Sequence, residues 1–242
     1  MRSRLLVSTL LTLFAFALPA HAQDAGDRYA DGLIAGDYLR FSGGIVAPVH
    51  PQGSLRDWNR GQNFALVYEN WANAGAGVSQ VAYGLNLGYS RLPLNEPEFI
   101  AHNTTIEGAR LTSATASSAA IFELGTGLRL RFPMLYVMPN IQFAFSYIDY
   151  RPATIHYVAT SGPGTASQQH RRGAALSIGG GLDKRITSYV GIFGEALYTY
   201  GFTGLGQGIA SPGGACVANG CDVLKNTTIG VVRGGLRVRT SR

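Results

Sequence analysis

The chain is poor in charge: 14% of its 242 residues are Asp, Glu, Lys or Arg, where a soluble domain carries nearer about a quarter. It holds 2 cysteines and 5 histidines, too few for a disulfide-dense scaffold or a repeated zinc framework. The formal net charge is +6, but Lys and Arg are scattered and form no stripe, which argues against a nucleic-acid surface. Beyond the first 22 residues no apolar run approaches the roughly 20 residues of a spanning helix. A helical anchor in the body of the chain is excluded.

The opening residues are a separate matter. Arg2 and Arg4 precede an uncharged apolar stretch from Leu5 to Leu18, and Ala20-His21-Ala22 supplies a small-x-small cleavage pattern before Gln23. This reads as a secretory signal peptide over residues 1–22, leaving 23–242 as a single domain. Export leads to an oxidising compartment. There Cys216 and Cys221, in the run Gly213-Gly214-Ala215-Cys216-Val217-Ala218-Asn219-Gly220-Cys221, are expected to form a loop disulfide if the geometry permits. With no His nearby, two thiolates do not complete a metal shell.

What the chain has in quantity is glycine (32), tyrosine (12) and phenylalanine (11), and much of it is arranged with period two. From Phe122 to Phe132, the even positions read Phe, Leu, Thr, Leu, Leu, Phe and the odd ones Glu, Gly, Gly, Arg, Arg. A strand sends alternate side chains to opposite faces, so one face is oily and the other charged or tiny. At helical spacing the two sets would mix. The same split marks Val81–Ser90, Ile141–Tyr147, Leu176–Asp183 and Val232–Arg239, with weaker versions over Asp37–Pro48, Gly61–Trp71 and Val190–Gly201.

These eight segments are separated by roughly 12, 7, 26, 2, 21, 3 and 24 residues. Short connections fall at Ala72 to Val78, Pro133-Met134 and Thr187 to Tyr189. Long ones surround Pro51-Gln52-Gly53, Pro93 to Ser117, Ser161-Gly162-Pro163-Gly164 and the cysteine pair. Alternation of tight turns and long loops between an even number of strands predicts an all-β, eight-stranded antiparallel up-and-down transmembrane β-barrel. Its two termini fall on the side of the tight turns, the periplasm in a barrel of the outer membrane.

Size decides which face is inside. An eight-stranded interior is only just wide enough to be filled by side chains, so the Gly/Ala/Ser face with its scattered charges suits the lumen and the bulky face suits lipid. The predicted lumen set is Arg40, Glu69, Glu123, Arg129, Arg131, Asp183, Arg185, Glu195, Arg233, Arg237 and Arg239. Buried charges persist when paired, so an internal ionic network is expected, with Glu195 and Arg233 as its foremost pair. Trp71, Phe132 and Tyr136 at the tight turns, and Tyr89, Tyr147 and Tyr200 at the long loops, are expected in interfacial girdles. Pro139 sits inside a strand and cannot donate to a ladder, which predicts a bulge or irregular pairing there.

The run Ser177-Ile178-Gly179-Gly180-Gly181-Leu182-Asp183-Lys184-Arg185-Ile186, leading by a tight turn into Val190-Gly191-Ile192-Phe193-Gly194-Glu195-Ala196-Leu197-Tyr198, resembles the sixth and seventh strands of the eight-stranded outer-membrane β-barrel proteins of the OmpX and OmpA transmembrane-domain type. The resemblance implies an integral outer-membrane location in a Gram-negative-type bacterium. Members of that family usually end their last strand on an aromatic residue; here the corresponding residues are Arg239-Thr240-Ser241-Arg242.

Chemistry is sparsely signalled. His50, His102, His156 and His170 all fall in expected outer loops, so neither a catalytic triad nor a metal or cofactor site is expected. Gly179-Gly180-Gly181 continues into strand and is not a phosphate loop. Glu123 and Glu195 are better read as filling a charged lumen than as catalytic carboxylates. The expected role is therefore non-enzymatic: a structural or surface-interaction protein, monomeric, whose four external loops meet lipopolysaccharide, host or other cell-surface ligands. Basic loop residues (Arg56, Arg60, Arg110, Arg151, Arg171, Arg172, Lys225) are available to lipid phosphates. A small porin-like channel and a lipid A-modifying enzyme are the alternatives.

Overall fold

A computed structural model describes residues 35–49, 55–73, 80–103, 105–106, 109–132, 137–167, 170–202 and 227–240. The signal segment, Cys216 and Cys221, His50, Tyr136 and Lys225 lie outside the described residues.

Eight long strands form a closed barrel: β1 (Gly36–Pro48), β2 (Gly61–Asn73), β3 (Gln80–Leu92), β6 (Ala119–Arg131), β7 (Met138–Arg151), β10 (Arg171–Arg185), β11 (Val190–Phe202) and β12 (Thr227–Arg239). Each pairs antiparallel with its neighbours in chain order, and β1 closes on β12 from Tyr38↔Arg239 to Pro48↔Ile229. Closure leaves no sheet edge in the wall. The strand ends joined through 74–79, 132–137 and 186–189 lie at one end, together with the start of β1 and the end of β12; those joined through 49–60, 93–118, 152–170 and 203–226 lie at the other. In the third tight turn, Thr187 Oγ1 accepts backbone N–H groups from Tyr189 (3.2 Å) and Val190 (3.0 Å), pinning a connection too short to carry other structure.

The period-two pattern becomes two faces. Tyr83, Leu85, Leu124, Phe145 and Val232 stand outward, with Val232 63% exposed, while Arg40 and Asp183 inside are 0% exposed. A soluble barrel would invert this. Ten residue steps from Phe122 to Phe132 span about 34 Å, which at a strand tilt near 40° gives an apolar band about 26 Å tall, matching a bilayer core. Among the described residues no helix is long and apolar enough to cross a membrane.

Pro139 does not produce a bulge. The β7–β10 register runs through Leu182↔Pro139 without a shift, and the β6–β7 register ends one residue earlier, at Arg131↔Asn140. The residue is second in its strand, and its carbonyl accepts Phe132 N–H at 2.8 Å beyond the last paired residues. Its missing N–H costs at most one bond at the frayed end.

The long connections carry a feature absent from the sequence expectations. A helix α1 (Glu96–His102), then β4 (Thr105–Ile106) and β5 (Ala109–Ala116), rise from the β3–β6 connection; β8 (Thr154–Ala159) and β9 (Gly162–Ser167) rise from the β7–β10 connection. They join as a second antiparallel sheet in the order β4-β5-β8-β9, with a bulge between Leu111 and Ser113. Phe99, Leu111, Ala114 and Ile155 form its own small core. His156, expected in a loop, therefore sits on a strand of this head.

Candidate functional site

The lumen is filled in layers, and the strand registers set its order. Nearest the tight turns lie Tyr38, Trp71 and Ala82. Trp71 is thus not a girdle residue: it is 2% exposed, its indole N–H donates to Glu69 Oε2 at 2.9 Å, and the Arg131 guanidinium lies 3.6 Å from its ring centroid. Its odd number gives it the parity of Glu69, and parity outranks proximity to a turn.

Next comes a charged layer. Glu195 accepts from Arg40 Nη2 at 2.9 Å, Arg129 Nη1 at 2.9 Å and Arg233 Nε at 2.5 Å. Glu69 stands 2.9 Å from Arg129 Nε and 3.5 Å from Arg40 Nη1. Asp183 stands 3.1 Å from Arg131, 3.5 Å from Arg40 and 3.8 Å from Arg237. Arginine outnumbers carboxylate here, so some guanidinium N–H groups need neutral acceptors. Asn140 Oδ1 takes Arg129 at 2.8 Å, Gln80 Oε1 takes Arg131 at 3.2 Å, and Gln142 Oε1 takes Arg129. Aromatic faces add further contacts: the Phe193 ring centroid lies 3.7 Å from the Arg40 guanidinium carbon and that of Tyr38 lies 4.9 Å from the carbon of Arg237. The amide residues were missed in the sequence, although their parity places them on the lumen face.

Glu123 stands apart from the arginines. Its carboxylate accepts from Asn86 Nδ2 at 3.2 Å and Ser146 Oγ at 3.0 Å, both neutral. It borders a small cavity of about 40 Å³, lined also by Gln142, Ser177 and Arg233. Arg185 and Arg239 are half-buried at the tight-turn end, where Arg239 Nη2 donates to the Ala35 carbonyl at 3.2 Å. Toward the loops, Val46, Leu92, Ala119, Ile121, Tyr150, Ile229 and Val231 close over the lumen, capped by Leu55 and Trp58 from the β1–β2 connection. Among the described residues the interior is filled twice, by ion pairs and by an apolar cluster.

At the loop end of the outer face sits a second cluster. Asp149 shares the outward parity of Phe145 and Tyr147 but is 6% exposed. Arg151 holds its Oδ2 through Nε (2.9 Å) and Nη2 (2.8 Å), while His170 and, at 3.5 Å, Arg172 meet Oδ1. The sequence marked Arg151 and Arg172 as basic residues near the loops but not Asp149 or their convergence on it, since the charges come from two strands and a connection.

The barrel, its inverted faces and its packed lumen define the class: this is the fold of the eight-stranded outer-membrane β-barrels. Among solved structures, the chain is similar to Neisserial surface protein A (NspA), at 12% identity over 85% of this chain and 98% of that one, with a TM-score of 0.47. It is also similar to OprG of Pseudomonas aeruginosa (13% identity, 88% and 99% covered, TM-score 0.40) and to Ail, the attachment invasion locus protein of Yersinia pestis (11%, 84% and 99%, 0.32). No protein-family profile matches the chain, and no curated protein matches it.

Proposed function

We propose that this is a non-enzymatic integral outer-membrane protein whose barrel is a rigid mount for a ligand-contacting head. The observation that carries the reading is the pairing of a sealed lumen with a structured loop end: the head has its own sheet and its own buried cluster. A barrel filled with ion pairs and closed by Leu55 and Trp58 is suited to holding something up, not to letting something through. The tight turns, with the start of β1 and the end of β12 beside them, face the periplasm, and the head at the opposite end meets lipopolysaccharide, host or other cell-surface ligands. The ionic residues Arg40, Glu69, Arg129, Arg131, Asp183, Glu195, Arg233 and Arg237 serve as packing for that mount.

Outer-membrane fractionation with heat-modifiability on a gel tests the location: the protein should fractionate with the outer membrane and migrate differently before and after boiling. Replacing the 93–118 and 152–170 connections by short turns tests the role. The trimmed barrel should still insert while losing its surface phenotypes; unchanged phenotypes would overturn the reading. A stable open conductance of the purified protein in a planar bilayer would favour the channel instead.

A further inference from the structure

We propose that Arg151 and Arg172, braced by Asp149, form a binding site on the barrel wall for the phosphorylated headgroup of an outer-leaflet lipid. The inference rests on the outer-membrane reading and goes beyond it, because the site is on the wall and not on the loops. Two exposed guanidinium groups, 57% and 59% accessible at the side chain, converge on one carboxylate that is 8% accessible. A surface arginine normally loses side-chain entropy when it binds. Here that loss is already met, since Asp149 fixes Arg151 through two N–H groups and the Phe122 ring lies 4.8 Å from its guanidinium carbon.

The position is what commits the site to a lipid. Asp149 pairs across the ladders with Phe122 on one side and Arg172 on the other, and Arg151 pairs with Ala120. Beside Asp149 on the same outer face is Phe122, and below it are Tyr147, Phe145 and Leu176, the upper edge of the apolar band. A molecule whose anionic head sat on the arginines would lay its acyl chains down that face. Exposed Arg91 on β3 also pairs with Ala120, so it lies two strand spacings, about 10 Å, from Arg151 across the outer face. Cations at that separation suit a headgroup with more than one phosphate. One carboxylate against two arginines leaves the cluster net positive even with His170 neutral. Its free N–H groups then bind phosphate by charge-assisted bonds.

The test uses the full-length protein folded in neutral detergent, with bound lipid counted by native mass spectrometry. Probes are bisphosphorylated lipid A, the same lipid with its phosphates removed, phosphatidylcholine and inorganic phosphate. The wild type should retain lipid A over both neutral lipids, and R151Q/R172Q should bind it about tenfold more weakly. R151K/R172K should keep part of the affinity, and D149N should weaken it a few-fold while leaving both cations in place. Heat-modifiability confirms folding of each variant. Equal binding of dephosphorylated lipid A, or undiminished binding by folded R151Q/R172Q, overturns the proposal. Equal competition by millimolar inorganic phosphate overturns the lipid assignment. If the protein is absent from the outer membrane, the parent reading fails; if it is present there and lipid A does not bind, only this inference fails.

Discussion

Replacing Glu195 by Gln should be the most damaging isosteric change in the lumen. The carboxylate is 5% exposed and accepts from three arginines, Arg40, Arg129 and Arg233, at 2.9, 2.9 and 2.5 Å. Glutamine keeps the shape and one acceptor oxygen but turns the other into a donor facing guanidinium groups. Breaking one buried pair costs about 3–5 kcal/mol, because the surviving charge stays desolvated. Three arginines lean on this one group, so the loss belongs at the upper end, about 5 kcal/mol. That equals the whole stability of a marginal domain. Glu123 is the internal control: it occupies the same lumen face, yet its partners are the neutral Asn86 and Ser146, so E123Q should cost about 1 kcal/mol. Urea unfolding in lipid vesicles, followed by tryptophan fluorescence and the heat-modifiability shift, measures both. Removing Arg233 as well, in E195Q/R233Q, should recover part of the loss. If E195Q and E123Q lose equal stability, the arginine layer is not an electrostatic unit and the reasoning is wrong.

Three further outcomes follow from the wall and the head. A Cβ at Gly235 would lie 1.8 Å from the Phe41 carbonyl oxygen, whereas one at Gly194 meets nothing within 4 Å; G235V should block barrel assembly, seen as loss of heat-modifiability, and G194A should leave it intact. Leu128 stands 53% exposed near the middle of the apolar band, so L128R should cost about 2–4 kcal/mol in bilayer unfolding, a penalty that would be absent if this face were in water. Ile155 is fully buried in the head's own cluster; I155D should expose the 93–118 and 152–170 connections to protease on intact cells while the barrel keeps its gel shift.

The wall was legible in the sequence because two periodicities agreed. Phe122 to Phe132 alternates so strictly that strand and face follow from parity alone, and the lengths of the connections ordered the strands. The head was not legible, since Thr154–Ala159 and Gly162–Ser167 are short, nearly uncharged strands joined by the two residues Thr160 and Ser161. Thr154–Ala159 is anchored by pairing with Ala109–Ala116, more than thirty residues away, and Gly162–Ser167 pairs in turn with Thr154–Ala159. Trp71 and Pro139 show the opposite failure. In both, a residue-type rule (tryptophan at interfaces, proline at bulges) was allowed to override positional information the strand already supplied.

Parity says which residues face inward; it does not say how so many large ions fit inside eight strands. The registers answer that. Arg233 lies opposite Gly44, Glu195 opposite Gly181, Arg237 opposite Gly191, Glu69 opposite Gly84 and Glu123 opposite Gly88. A Cβ at Gly44 would stand 2.6 Å from the Arg233 Cβ, and one at Gly181 would stand 2.8 Å from that of Glu195. Each of these charged side chains is thus laid beside a glycine on one neighbouring strand, whereas Arg40, Arg129, Arg131 and Asp183 face larger residues. Glycine abundance and lumen charge, two separate oddities of composition, are one packing device. An alanine at Gly44 or Gly181 therefore meets the wall as well as the ion, because its Cβ would lie 2.1 Å from the Val232 carbonyl oxygen or 2.4 Å from that of Gly194.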